Sequence, residues 1–293
     1  MATRHRLTLC LLCVALLAPA APAARGASVP LIVDTDLFSD ADDVGALATA
    51  FGLQLRGEAQ VVAVAVNKRA SRAAVAANSW KCVAAVTSFY NSGEVPIGSA
   101  MPDDGSSAGD GGFAGPCADK GPPAPPAPDT AVAVYRRALA AQPDGSVVIA
   151  SAGFFGNLSA LLNSAPDAIS PLTGRELVAR KVARLVAMAG GYPSRGGETN
   201  LGGDPRSAQN VAGHWPTKIV WSGFEVGDGV LTGQSLSSVH PTGSPVRRAY
   251  EAFVGPDTSI SSWDLTAVYH AARPDDPLLR EVGPGTNVVH DDG

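Results

Sequence analysis

Short apolar runs rich in Val and Ile alternate along the chain with longer Ala-rich segments that have helical spacing. The short runs are apolar throughout, a pattern typical of strands buried on both faces of a parallel sheet. Strands separated by helices predict a single α/β domain, with a mostly parallel open sheet and helices on both faces. The predicted strands are 31–33, 61–66, 147–150, 182–188 and 219–221, and the predicted helices are 44–55, 73–90 and 157–163.

One segment, 98–129, interrupts this alternation. It is crowded with Gly, Pro, Ser and Asp and contains the run PPAPPAP, which favours a polyproline-like conformation. A stretch of this length and composition predicts a long surface loop. Two interpretations stay open, a lid over a site and a solvated insertion without a role.

The first residues have the pattern of a secretory signal peptide. A charged start at Arg4 and Arg6 precedes an apolar run over 7–18, and small residues with A-x-A-like spacing follow. The apolar run is too short for a membrane span, so residues 1–24 are predicted to be removed and the protein secreted. One domain would then occupy 28–293. It keeps two cysteines, Cys82 and Cys117, which form either a disulfide or two separate thiols in an oxidising compartment.

Polar side chains collect where the predicted strands end. Asp34 and Asp36 close the first strand, and Asn67 closes the second. Asn157 follows a third strand, and a pair at 198 and 200 follows a fourth. In an open parallel sheet the carboxyl ends of the strands lie at one edge, which is where ligands bind. The sequence therefore predicts a binding site at this edge.

The acidic run DTDLFSDADD places five carboxylates within ten residues, at 34, 36, 40, 42 and 43. Clustered carboxylates repel one another, and a bound cation is the simplest way to keep them ionised where solvent is limited. An oxygen-only set without nearby His or Cys favours calcium or magnesium. The alternatives are a solvated loop capping the next helix, and a phosphatase of the haloacid dehalogenase type, which also begins D-x-D after a strand.

Charge and composition narrow the class of partner. The formal net charge of −5 argues against a nucleic-acid-binding protein, which is usually basic. A hydrophobic fraction of 45% is enough for a sizeable core, and no later segment is long and apolar enough to span a bilayer. The negative charge suits the binding of a cation or of a small neutral substrate. A homo-oligomer stays open.

Several ordered motifs resemble those of the nucleoside hydrolases. The run VDTDLFSDADDVGAL is similar to the N-terminal signature of that family, and SAGFFGN is similar to its G-P-L-T-N loop. The block AMAGGYPSRGGETNLGGDPRSAQNV resembles the one carrying M-G-G, E-x-N and D-P. Near the C-terminus, SSWDLTAVYHAARP resembles the motif with the last metal-binding Asp. The resemblance implies a nucleoside hydrolase fold with a Rossmann-like core. It also implies calcium-dependent hydrolysis of the N-glycosidic bond of ribonucleosides.

The resemblance also implies roles for individual residues. Asp36 would bind the metal and take a proton from the attacking water, and Asp34 would belong to the same acidic shell. The implied metal ligands are Asp36, Asp43, Asp264 and the main-chain carbonyl of Gly156. The implied ribose-binding residues are Asp42, Asn67, Glu198 and Asn200. Carboxylates and amides suit hydroxyl groups because they accept or donate hydrogen bonds without bulk.

Three positions depart from the family pattern. Gly156 replaces a Thr that binds through its main chain, so the ligand need not be lost. Phe38 stands where the family has Gly, beside the metal loop. Trp263 stands where some members have a His that protonates the leaving base. An indole cannot act as that acid, but it can stack on the base. The departures leave a second hypothesis open, a catalytically silent protein that binds nucleosides or sugars.

Overall fold

The computed structural model of the protein describes residues 28–67, 78–90, 92–99, 112–119, 129–193 and 196–293. The predicted signal peptide at 1–24 lies outside these residues. The described part contains one parallel seven-stranded sheet and a small antiparallel pair. Its strands are β1 (Val29–Thr35), β2 (Ala59–Val66), β3 (Ile97–Ser99), β4 (Asp129–Thr130), β5 (Val147–Ala152), β6 (Val182–Met188), β7 (Lys218–Ser222), β8 (Leu231–Thr232) and β9 (Ile260–Ser261).

The described part also contains twelve helices, of which the last follows strand β9. They are α1 (Asp42–Leu55), α2 (Asn78–Phe89), α3 (Ala114–Ala118), α4 (Ala131–Ala141), α5 (Gly156–Leu162), α6 (Gly174–Lys181), α7 (Thr199–Gly202), α8 (Pro205–His214), α9 (Phe224–Asp228), α10 (Leu236–Val239), α11 (Pro245–Val254) and α12 (Trp263–Ala272). The predicted fold class, a single α/β domain, is confirmed.

The large sheet has the strand order β4-β3-β2-β1-β5-β6-β7, with β1 between β2 and β5. All neighbouring pairs run parallel, and Asp34 of β1 lies opposite Ala65 of β2 and Ser151 of β5. Strands β2 to β4 follow one another on one side of β1, and strands β5 to β7 follow one another on its other side. The direction in which the chain adds strands therefore reverses at β1. In open α/β sheets such a reversal opens a crevice at the carboxyl ends of the strands.

Both faces of the sheet are covered, as the continuous apolar runs predict. Leu31 and Val33 of β1 pack into a cluster with residues of α1, α2, α11 and α12. Ile32 points to the opposite face and packs with residues of α4, α5, α6 and α8. All three side chains are fully buried. Burial on two faces explains why β1 shows no alternation of apolar and polar residues.

The described part of segment 98–129 is not the surface loop that its composition predicts. Phe113 and Cys117 are fully buried, and Cys117 forms a disulfide with Cys82 of α2. The Phe113 ring also packs edge-to-face against Phe253, with ring centroids 5.9 Å apart. These contacts hold the short helix α3 in the core, so the prediction is wrong for 112–119. Strands β3 and β4 occupy the two ends of the segment.

The predicted helix over 73–90 begins in the structure at Asn78, and 73–77 lie outside the described residues. None of the described helices combines the length and apolar character needed to cross a membrane.

Candidate active site

The acidic run turns from the end of β1 into α1 through a strained backbone. Leu37 has a φ of 47°, in the left-handed region that residues with a Cβ seldom adopt, yet its side chain is fully buried. The turn brings Asp36, directly after β1, next to Asp43, which follows Asp42 at the start of α1. All three carboxyl groups are buried. So much buried acid requires compensation from donors or from a cation.

Four carboxyl groups converge into one cluster. Asp40, Asp42, Asp43 and Asp264 each offer an oxygen atom, and these atoms lie within 4.8 Å of one another. Asp264 enters from the first turn of α12, where its backbone N–H donates to Asp42 Oδ2 over 3.0 Å. We call these residues the four-carboxylate cluster.

The four-carboxylate cluster has the chemistry of a site for a hard cation. Its donors are all carboxylate oxygens, which are the ligands that calcium and magnesium prefer. Asp264 is only 6% exposed, and no residue of the described part donates a hydrogen bond to its carboxyl group. A buried carboxylate that lacks donors and points at three others is stabilised when a cation binds between them. The cluster therefore fits a divalent metal ion.

Burial changes the protonation of these groups in the absence of a cation. Burial, reinforced by the nearby carboxylates, holds the pKa values of Asp36, Asp42 and Asp264 well above their ordinary range. For Asp43 burial and the charge of Asp40 outweigh the hydrogen bonds it accepts, and its pKa is raised to about 7. Metal binding must displace these protons, because a carboxylate coordinates in its ionised form.

Asp36 lies beside the four-carboxylate cluster. Its carboxyl group shares a hydrogen bond with Asp43 and accepts another from the Phe38 backbone N–H over 3.2 Å. Gly156, whose main-chain carbonyl is another ligand implied by the resemblance, is the first residue of α5. Of the ligands implied by the resemblance, the cluster contains Asp43 and Asp264. It also contains Asp42, for which the resemblance implies ribose binding, and Asp40, for which it implies no role.

Asp34 has a different environment from the one expected. It was predicted to share the acidic shell, but its carboxyl group faces three donors on the other side of β1. Tyr135 Oη donates to Oδ2 over 2.7 Å, Asn157 Nδ2 donates to Oδ2 over 3.0 Å, and Asn67 Nδ2 donates to Oδ1. Burial outweighs these bonds and raises its pKa to about 6. Asp34 therefore orients the amides of Asn67 and Asn157.

The segment after β5 closes over Asp36 and Asn67. Phe154 donates its backbone N–H to Asn67 Oδ1 over 3.1 Å. A Cβ atom on Gly153 would stand 2.9 Å from the Asp36 Cβ and 3.0 Å from Asn67 Nδ2, so only glycine fits there. The Phe154 ring meets the Phe38 ring edge-to-face, with centroids 5.8 Å apart. Both rings therefore lie beside the acidic residues, a position that sequence reasoning assigned only to Phe38.

Glu198 and Asn200 organise the end of β6. Glu198 caps α7, and its carboxylate accepts hydrogen bonds from the backbone N–H groups of Asn200, Leu201 and Gly190 over 2.9, 3.1 and 3.0 Å. Burial raises the pKa of Glu198 in spite of these bonds. Asn200 Nδ2 donates to the Met188 carbonyl over 3.0 Å. Both side chains thus hold a defined orientation beyond the carboxyl end of the sheet.

Trp263 precedes Asp264 at the start of α12 and is partly buried. Its ring packs against Phe224, with centroids 5.1 Å apart and planes inclined by 32°. The buried indole Nε1 finds no acceptor within the described residues. Gly227 packs so closely on the Trp263 backbone that a side chain there would collide with it. The start of α12, directly before Asp264, is thus held in place by packing of Trp263 against Phe224 and Gly227.

Comparison with known proteins decides the family. A sequence profile described as inosine-uridine preferring nucleoside hydrolase matches residues 31–283. The chain belongs to this family. The match includes every residue to which the resemblance gives a metal-binding or ribose-binding role, from Asp36 to Asp264. A search of curated proteins returned no match.

Solved structures agree with this family at the level of the fold. A plant nucleoside hydrolase, the PpNRh1 enzyme, is 18% identical with a TM-score of 0.56, covering 84% of this chain and 79% of its own. The effector protein XOO4466 is 15% identical with a TM-score of 0.61, covering 83% and 80%. The type III effector XopQ, solved with adenosine diphosphate ribose, is 15% identical with a TM-score of 0.59, covering 83% and 81%.

A phosphatase of the haloacid dehalogenase type, the alternative that the D-x-D run allows, does not fit the environment of Asp34. A carboxylate nucleophile needs an accessible oxygen atom. Both oxygens of Asp34 already accept hydrogen bonds from buried donors, and the side chain is fully buried. The first Asp of the D-T-D run therefore has a positioning role.

Proposed function

We propose that this protein is a secreted, calcium-dependent hydrolase that cleaves the N-glycosidic bond of ribonucleosides into ribose and a free base. The observation that carries the proposal is the position of Asp36. This buried carboxyl group hydrogen-bonds Asp43, a member of the four-carboxylate cluster, and lies against the loop that holds Asn67. The residues proposed as general base, cation site and hydroxyl-binding amide are thus neighbours at the carboxyl edge of the sheet, which supports the proposal.

The proposed reaction divides the work between neighbouring side chains. Asp42, Asn67, Glu198 and Asn200 bind the ribose hydroxyl groups and fix the sugar in place. Asp36 accepts a proton from the attacking water as general base. The surrounding carboxylates favour the positive charge that grows on the sugar ring as the glycosidic bond breaks. Calcium, which Asp36, Asp43, Asp264 and the Gly156 carbonyl would hold, would supply a positively charged template for the reacting groups.

The decisive experiment incubates the mature protein, loaded with calcium, with a panel of purine and pyrimidine ribonucleosides and measures ribose release. Release of ribose from at least one nucleoside supports the proposal. Nucleoside binding by calorimetry without ribose release would instead identify the silent binding protein, which the Phe38 and Trp263 departures favour. Secretion is tested separately, by determining the N-terminal residue of protein exported from an expressing cell.

Calcium is expected to raise the melting temperature more at pH 7.5 than at pH 5. Without metal, raised carboxyl pKa values, to about 6 for Asp34 and about 7 for Asp43, make the folded state bind more protons than the unfolded state. Their contribution to stability is present below about pH 4 and is lost as the pH rises through 7. Calcium needs ionised carboxylates and stabilises only the folded state, so its effect grows over the same window.

The measurement compares melting curves of metal-stripped and calcium-loaded protein at the two pH values. Titrating groups outside the site contribute equally to both samples at each pH, so the difference isolates the metal. Identical melting temperatures with and without calcium at pH 7.5 would refute the metal assignment.

Trp263 is expected to act by stacking on the leaving base. The Trp263→Phe variant should retain most of the activity, and Trp263→Ala should lose about 1–2 kcal/mol of transition-state stabilisation, or roughly ten- to thirtyfold in kcat/KM. Because the ring also packs against Phe224, the Phe224→Ala variant serves as the control for loss of packing alone. If Trp263→Ala matches Phe224→Ala on inosine and uridine, the ring contributes packing and not stacking.

A further inference from the structure

Asp40 is the member of the four-carboxylate cluster that the proposed function leaves without a role. It lies on the loop between β1 and α1, four residues after Asp36 and three before Asp43. Its side chain is half-buried, and Ser39 Oγ donates to its Oδ2 over 3.1 Å. It also shares a hydrogen bond with the carboxyl group of Asp42.

The burial of Asp264 is a second observation about this cluster. Asp264 reaches the cluster from α12, far from the other three acids in sequence, and only 6% of its surface is exposed. Among the described residues, none donates a hydrogen bond to its carboxyl group, and its oxygen lies within 4.8 Å of those of Asp40, Asp42 and Asp43. Solvated loops keep their carboxylates exposed. A carboxylate without donors, buried against three others, is the arrangement that a cation stabilises.

We infer that Asp40 is a metal ligand in this chain and that it biases the site towards calcium over magnesium. This inference rests on the proposed function, because it refines the same metal site. Calcium takes about six to eight oxygen ligands in a flexible geometry, and carboxylates can bind it through one or both oxygens. Magnesium binds through about one or two carboxylates, keeps several waters and requires near-ideal octahedral geometry. The addition of Asp40 to the cluster therefore favours the larger ion.

The half-buried position of Asp40 makes it suitable for substitution. Asp40→Asn keeps the shape and an acceptor for Ser39 Oγ but removes one negative charge and one coordinating oxygen. Ser39→Ala is the matched control, because it removes the Ser39–Asp40 hydrogen bond and keeps the carboxylate. A role in loop structure alone predicts the same effect for both variants, whereas metal binding predicts an effect for Asp40→Asn only.

The test titrates metal-stripped wild type, Asp40→Asn and Ser39→Ala with calcium and with magnesium by isothermal calorimetry. Asp40→Asn is expected to raise the calcium Kd by about tenfold or more and to lower the ratio of magnesium Kd to calcium Kd. Ser39→Ala is expected to match the wild type. If the wild type binds calcium and Asp40→Asn binds it with the same Kd, the inference is refuted and the proposed function stands. If the wild type binds neither ion, the metal site and the inference fail together.

Melting curves give a second test, because metal binding by Asp40 predicts a different change in melting temperature without calcium and with it. Without metal, Asp40→Asn is expected to melt at or above the wild-type temperature, because the variant relieves repulsion between like charges. In calcium it is expected to melt below the wild type, because the lost ligand weakens binding to the folded state. A purely structural role would lower both melting temperatures, and that result would overturn the inference.

Discussion

Asp36→Asn is expected to lower kcat for ribonucleosides by roughly 10²- to 10⁴-fold, the range typical for loss of a general base. An amide cannot accept the proton of the attacking water at neutral pH. The Asn side chain has the same shape, and its Oδ1 can still accept the 3.2 Å hydrogen bond from the Phe38 backbone N–H. Because the substitution also removes one acid from a crowded group, the fold is expected to persist.

The measurement is a ribose-release assay with the melting temperature recorded on the same samples. Asp275→Asn makes the same chemical change at an exposed position and is expected to leave kcat unchanged. Calorimetry with calcium separates the two roles that Asp36 has in the proposal, since loss of a ligand weakens metal binding and loss of a base does not. An Asp36→Asn protein that keeps more than about a tenth of wild-type kcat would contradict the assignment of Asp36 as base.

Asp34→Ala is expected to produce the largest loss of stability, about 3 kcal/mol or more of the free energy of unfolding. The Asp34 carboxylate accepts hydrogen bonds from three buried donors, on Asn67, Tyr135 and Asn157. Alanine leaves these donors without a partner, and each unsatisfied buried group costs about 1–3 kcal/mol. Removal of the Asp34 carboxyl group offsets part of this cost, because burial destabilises its ionised form and raises its pKa to about 6.

Chemical denaturation at fixed calcium concentration measures the effect. Tyr135→Phe removes one of the three bonds and keeps the ring, so it is expected to cost about 1 kcal/mol. The ratio between the two variants tests whether Asp34 is the shared acceptor. Equal stability of Asp34→Ala and wild type would show that the network contributes nothing, and the orientation of Asn67 would then need another explanation.

The parts of the fold that the sequence predicts are those with a repeated local signal. The apolar run of β1 is long enough to identify a buried strand, and the acids that follow it are unusual in such a place. The sequence alone therefore predicts that Asp34 and Asp36 lie at a strand end. Strands β3 and β4 have three and two residues, too few for any periodicity to appear.

Long-range contacts account for what the sequence could not predict. Tyr135 lies on α4, 101 residues from Asp34, and nothing near it in sequence indicates that its hydroxyl meets a carboxylate. Phe113 is surrounded by glycines, and only the packing of α11 and the Cys82–Cys117 disulfide explain its burial. Asp40 was counted as part of the acidic run, but the direction of its side chain depends on how the strained turn at Leu37 folds.

The hydrogen bond between Asp264 and Asp42 joins residues 222 positions apart, and this separation determines when the site can form during synthesis. The ribosome releases the residues of α1 long before those of α12, so the nascent chain carries three clustered acids without the fourth. Chains truncated before Trp263 would lack the carboxylate that completes the cluster. Binding of the proposed cation would thus come late in folding, since only a chain with α12 docked presents all four carboxylates.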